Sequence, residues 1–212
     1  MADRNVCPTA IPWSVISLIG LPVVGVLALA VLWPKSSPLP KLYGIPAFSL
    51  VERSGEGLGP DALRGKIWIA DFVFTTCPGP CLMMTQRMAE LQRRLGASED
   101  VRLVSFTVDP EHDSPEVLRA YAERHGALAG RWLFLTGARA AIYDLAEKGF
   151  KVTTTDMGDG ASGPDGRYLH STKLVLVDGD GFVRGYFDGV DPAAVEKVMG
   201  AIRALRREKG GR

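Results

Sequence analysis

Residues 66–74, KIWIADFVF, form an almost uninterrupted apolar run that ends in a loop with two cysteines, Thr75-Thr76-Cys77-Pro78-Gly79-Pro80-Cys81. Its β-branched and aromatic members suit a strand buried on both faces. Beyond Cys81, apolar side chains recur at Met84, Met88, Leu91 and Leu95. That is the spacing of one helical face, and Cys81 lies on it. A strand covered on both sides, a short thiol loop and a helix leave little choice of architecture. The chain must place helices against both faces of a central sheet.

The remaining pattern agrees. Residues 61–65 read as a short helical turn stopped by Gly65, and VRLVSFTV, 101–108, reads as a strand. Asp113-Ser114-Pro115-Glu116 combines a capping residue, an early proline and an acid, so a helix runs from there to about His125 and stops at Gly126. RWLFLT, 131–136, is a strand, and 138–148 is a helix ended by Gly149. Residues 153–167 have no apolar period and read as a long loop. A strand at 171–178, a turn through Asp178 and Gly181, and FVRGYF make a hairpin, followed by a closing helix over 191–209. The order β-α-β-α-β-α-β-β-α predicts a mixed α/β sheet.

Residues 13–33, WSVISLIGLPVVGVLALAVLW, carry no charge. As a helix they would rise roughly 30 Å, enough to cross a bilayer core. A tryptophan stands at each end, as in the aromatic belts of membrane helices. The run is too long for a signal-peptide core, and Val31-Leu32-Trp33 is no small-residue cleavage site, so an uncleaved anchor is expected. Arg4, Lys35 and Lys41 flank it without a bias that fixes orientation. The organisation read from the chain is a tail at 1–12, an anchor at 13–33, a linker at 34–47 and a soluble domain at 48–209. With 25 basic and 24 acidic residues the formal net charge is +1. That balance argues against nucleic acid as a partner.

Three cysteines are too few for a disulfide-stapled scaffold, so the close pair points to reactivity or metal binding. Cys7 is read as an ordinary thiol, because Arg4-Asn5-Val6 is no lipobox. A helix N-terminus stabilises thiolates, which predicts lowered thiol pKa values at Cys77 and Cys81. On a regular helix, residues four apart lie too far apart for a disulfide, but the prolines prevent that geometry in the loop. The sulfurs can meet, or both can face one soft ion such as Cu(I) or Zn(II). The histidines are His112, His125 and His170. His125 lies near a helix C-terminus and His112 in a loop, and both have ordinary surface roles. His170 stands where the long loop meets a strand whose start should face the cysteine loop. Two thiolates and that imidazole would form a three-coordinate Cu(I) site.

Three motifs in order, FVFTTCPGPC, VDPEHDSP and LHSTKLVLVDGDG, make the chain resemble the Sco/SenC family of copper proteins over roughly residues 43–205. The resemblance implies a thioredoxin-like fold and copper, as Cu(I) and Cu(II), bound by Cys77, Cys81 and His170. It implies a single-pass bacterial inner-membrane protein with its domain in the periplasm. The implied task is maturation of the dinuclear copper site of cytochrome c oxidase. Its partners would be the oxidase's copper-site subunit and a thioredoxin-like reductant or another copper carrier. Asp109, Pro110 and Asp113 match the family's loop, where a structural role is expected. Leu82 and Leu169 depart from the proline and aspartate common at those positions. The alternative is a thiol-disulfide oxidoreductase whose redox-active dithiol, Cys77 and Cys81, reduces a partner's cysteines. Thioredoxins, however, separate their cysteines by two residues and usually set a cis-proline opposite, where this chain has Leu169-His170-Ser171.

Overall fold

The computed structural model describes residues 38–77, 79–152 and 171–210. Strands are β1 (Leu50–Glu52), β2 (Gly57–Leu58), β3 (Ile67–Val73), β4 (Val101–Thr107), β5 (Trp132–Thr136), β6 (Lys173–Val177) and β7 (Val183–Asp188). Helices are α1 (Pro80–Leu95), α2 (Pro115–Arg124), α3 (Arg139–Asp144) and α4 (Ala194–Gly210). A 3-10 turn at Pro60–Leu63 leads to Gly65, whose φ of +77° suits glycine.

The strands form one mixed sheet in the order β2-β1-β5-β4-β3-β6-β7. β3, β4 and β5 are parallel, while β6 and β7 fold back antiparallel to β3 and to each other. As the sequence predicts, β3 is buried at every position. Its alternation sends Trp68 and Phe72 to one face, where Phe150 packs edge-on against both rings and Phe72 stacks on Phe106 at 5.1 Å. The opposite face carries α1 and α2, linked by a 2.8 Å hydrogen bond between Thr85 Oγ1 and Tyr121 Oη. α4 lies beside α1.

Three differences from the sequence expectation are physical. The β1–β2 hairpin is absent from the predicted order, because two- and three-residue strands carry no readable alternation. β1 is held instead by β5, through the Val51–Thr136 and Glu52–Leu135 pairs. The helix expected over 138–148 changes to a π-turn at Leu145–Gly149. There a Cβ on Gly149 would come within 3.0 Å of both Leu145 and Pro46, so glycine permits the close approach.

The third difference concerns the stretch expected to run as a linker. Leu42 N–H donates to Val183 O, Ile45 N–H to Gly181 O, and Val183 N–H returns to Tyr43 O. The buried Arg184 guanidinium donates to Leu39 O and Pro40 O and pairs with Asp178 and Glu208. Residues 39–45 thus lie as a strap along the outer edge of β7. Apolar and backbone groups there satisfy an edge that would otherwise stand open. Among the described residues no helix is long and apolar enough to cross a membrane. The 13–33 run and Cys7 lie outside the described residues.

Candidate functional site: a dithiol at a strand–helix junction

The cysteine loop leaves the top of β3, at the C-terminal edge of the parallel strands, where open α/β sheets place their sites. It is held there by one carboxylate. Asp113, fully buried, accepts Thr75 N–H at 3.1 Å and the hydroxyls of Thr75 and Thr107. His112 Nδ1 lies 3.0 Å from Asp113 Oδ1, the oxygen that also accepts the Thr75 hydroxyl. Asp113 N–H in turn donates to Asp109 O, and Asp109 N–H to Thr107 Oγ1. The loop 109–113 therefore clamps the residues that lead into Cys77, which is the structural role expected of Asp109 and Asp113. His112, read from the sequence as an ordinary surface group, belongs to this clamp. Its hydrogen bond to Asp113 raises its pKa above the usual imidazole range. Burial, then the Asp113 charge, raises that of Asp109.

Ser114 caps α2 by accepting Val117 N–H, and Pro115 follows at the first helical position. At α1 the start is set by Pro80 and by Leu82 N–H donating to Gly79 O. Cys77 closes a turn onto Phe74 O at 3.3 Å. Both thiols are free, and they differ: Cys77 is half-buried, whereas Cys81 is only 5% exposed. Each sits in the other's electrostatic field.

The expectation of a lowered pKa at both thiols fails at Cys81. Burial pushes that thiol far up, and the contact with Cys77 adds to the shift, while the Phe74 backbone pulls the other way. Desolvation of the charged form outweighs the helix terminus here. The pair is asymmetric as a result. Cys77 is the accessible sulfur, and Cys81 is a protected one that needs a proton acceptor or a metal ion to become a thiolate.

β6 is antiparallel to β3, with Ala70 opposite Val175, so its beginning lies at the same end of the sheet as the cysteine loop. Thr172 O accepts Gly189 N–H at 2.7 Å. A Cβ on Gly189 would fall 2.1 Å from Met84 Sδ and 3.0 Å from Thr172 O. Met84 is one turn beyond Cys81, so the chain at 171–172 packs close to the dithiol helix. His170 itself lies outside the described residues. Among those described, no three His, Cys, Asp or Glu side chains are grouped to hold a metal ion. Two adjacent free thiols nonetheless suit one soft cation.

One residue that sequence reasoning missed is Asp71, which the apolar run 66–74 absorbed. It is fully buried beneath α1, and its charge is felt by Cys81. A lone acid inside a doubly covered strand was the available signal.

A mixed sheet covered by helices, with a free dithiol where its central strand meets a helix, defines a thioredoxin-like dithiol protein. The SCO1/SenC family profile matches residues 38–206, and the chain belongs to that family. The SCO1 protein homolog of Bacillus subtilis is 32% identical over 169 residues, covering 78% of this chain and 84% of the homolog. The solved structure of BsSco, described as a member of the Sco family of cytochrome c oxidase assembly proteins with a disulfide switch, superimposes with a TM-score of 0.66. Its identity is 32%, over 80% of this chain and 96% of that one. ScoI of Bradyrhizobium japonicum, solved with copper bound, shares the fold at 24% identity and a TM-score of 0.62, over 77% of this chain and all of the other.

Proposed function

We propose that this chain carries copper through Cys77, Cys81 and His170, and that it serves maturation of the dinuclear copper site of cytochrome c oxidase. In this reading residues 13–33 anchor it in a bacterial inner membrane and residues 48–209 work in the periplasm. The observation that carries the proposal is the pair of adjacent free thiols at the start of α1 in a SCO1/SenC chain. Thiolates prefer Cu(I), and a metal ion supplies the charge that a buried Cys81 thiolate lacks. An imidazole completes a three-coordinate Cu(I) site, and Cu(II) is the other state such a carrier would hold. The start of β6, beside the cysteine loop, supports a contribution from His170, three residues before it in the sequence. The assembly role rests on the family and on what is described for BsSco. The oxidase's copper-site subunit is the expected partner, with a thioredoxin-like reductant or another copper carrier upstream.

Anaerobic Cu(I) titration of the reduced protein tests the proposal. One-to-one binding that weakens at least tenfold in His170→Ala supports it. Binding indifferent to His170, or no binding, overturns it.

The asymmetry of the thiols favours a second reading, a thiol-disulfide reductase. An accessible Cys77 would attack a partner's disulfide and a protected Cys81 would resolve the product. That activity would survive His170→Ala, whereas copper delivery would not.

A further inference from the structure

At the end of the sheet from which the parallel strands depart, cations gather. Lys66 precedes β3, Arg102 lies near the start of β4, Arg131 precedes β5, and Arg206 and Lys209 stand near the end of α4. Four of these side chains converge on Ser98, Glu99 and Asp100. Lys66 Nζ and Arg102 Nη1 donate to the same oxygen, Glu99 O, at 2.9 and 2.8 Å. Arg131 Nη2 donates to Ser98 O at 3.3 Å, while Arg206 donates to Ser98 Oγ and to the Asp100 carboxylate. Lys209 Nζ reaches Gly65 O, one residue before Lys66.

The acids of this group are Glu99, which is exposed, and Asp100, which Arg206 occupies. Among the described residues no carboxylate pairs with Lys66, Arg102 or Arg131, whose partners are backbone carbonyls. Two cations that share one acceptor stand no more than about 6 Å apart and repel each other. The C-terminus of α1, just before this loop, favours positive charge, but Arg93 and Arg94 already supply it in the last turn. Folding therefore does not account for the cluster. An ammonium and guanidinium groups with donors to spare are what phosphate recognition uses.

The course of the chain says which phosphate. Leu39 is fixed at this same end, its amide donating to Glu208 and its carbonyl accepting from Arg184. The apolar run 13–33 ends five residues before residue 38. Extended chain of that length spans at most about 18 Å. In the anchored reading a bilayer surface is therefore within reach of the cluster. The opposite end of the parallel strands carries Asp109, Glu111 and Asp113, which an anionic surface repels.

We propose that Lys66, Arg102 and Arg131, with Arg206 and Lys209, form a docking face for the phosphate headgroups of an anionic lipid bilayer. The inference rests on the anchored reading and deepens it, because the charges orient the domain so that the cysteine loop points away from the lipid. The attraction is electrostatic and fades as salt screens it.

The test places the full chain in nanodiscs of phosphatidylcholine, alone or with about one-third phosphatidylglycerol. Acetylation by N-hydroxysuccinimidyl acetate, read by peptide mass spectrometry, reports on each lysine. Lys66 and Lys209 should react about fivefold more slowly in the anionic discs, and Lys173, at the start of β6, equally in both. The protection should vanish in about 0.5 M sodium chloride. It should also fall by about half or more in Arg102→Gln/Arg131→Gln, with circular dichroism confirming the fold. Equal reactivity of Lys66 in the two discs at low salt overturns the proposal. So does equal protection by inorganic phosphate in neutral discs, which marks a small-anion site instead. Flotation with neutral vesicles at high salt tests the anchor separately. A chain that fails to float there loses the anchored reading, and low-salt vesicle binding then decides the docking face. Binding to anionic but not neutral vesicles, weakened in Arg102→Gln/Arg131→Gln, supports it, and no preference for anionic vesicles overturns it.

Discussion

Removing the Asp113 carboxylate should loosen the cysteine loop and destabilise the whole domain. In Asp113→Ala the Thr75 amide, the Thr75 and Thr107 hydroxyls and His112 all lose their acceptor. A hydrogen bond to a charged acceptor is worth about 1.5–3 kcal/mol, and each buried donor left without a partner costs about 1–3 kcal/mol. These terms overlap, because one deletion creates them all. His112 is largely exposed and adds little in water. Thr107 is buried, and Thr75 N–H is partly so. The expected loss is about 3–5 kcal/mol, the range for breaking one member of a buried charged network. That is a third or more of the stability of an ordinary domain. Urea unfolding of the reduced protein at pH 7 measures it, with the slope checked for constancy. Asp113→Asn keeps the shape and some of the bonds and should lose about half as much. The freed loop should also alkylate faster at Cys77. A loss below about 1 kcal/mol in Asp113→Ala, with an unchanged slope, would show that the clamp holds nothing.

Limited iodoacetamide should label Cys77 at least tenfold faster than Cys81 near pH 8, read by peptide mass spectrometry; equal labelling would contradict the burial of Cys81. Asp71→Asn should stabilise the protein increasingly from pH 4 to 8. The native acid is raised to about 7 from an unfolded value near 4, so the native form loses stability as pH rises through that window, by about 3–4 kcal/mol in full. Parallel denaturation curves for the two proteins at all pH values would refute this. His112→Gln should cost more at pH 5.5 than at pH 8.5. A raised imidazole contributes fully below its unfolded pKa, and the contribution fades as pH passes the folded value. Arg184→Ala should destabilise by about 3–5 kcal/mol, because it removes the buried cation paired with Asp178 and Glu208 and releases two strap carbonyls. Proteolysis within 38–45 should accelerate with it.

Elements with strong periodicity or clear caps were legible in the sequence. β3 reads from seven buried positions, α1 from Met84, Met88, Leu91 and Leu95, and α2 from Ser114 and Pro115. The dithiol was legible because its loop falls between two such elements. What escaped depends on contacts distant in sequence. β1 exists because β5 pairs with it, and residues 39–45 are ordered because Arg184, some 140 residues later, holds their carbonyls. The pKa of Cys81 escaped for a related reason. A helix terminus can be read from neighbouring residues, but burial is set by the whole fold, and burial dominates there. Asp71 was hidden by its own strand.

The strap has a mechanical consequence. Residues 42–45 meet Gly181, Phe182 and Val183, at the end of the sheet from which β3 departs, while the cysteine loop lies where β3 arrives. Residues 39–45 therefore grip the domain at its foot, and the thiols sit at its head. The seven residues of β3 set these ends apart by about 23 Å. A pull applied at residue 38 would be borne by the β7 edge and the Arg184 cluster, with the central strands between that load and the sulfurs. A partner can engage the head of the domain without competing with the strap at residues 39–45.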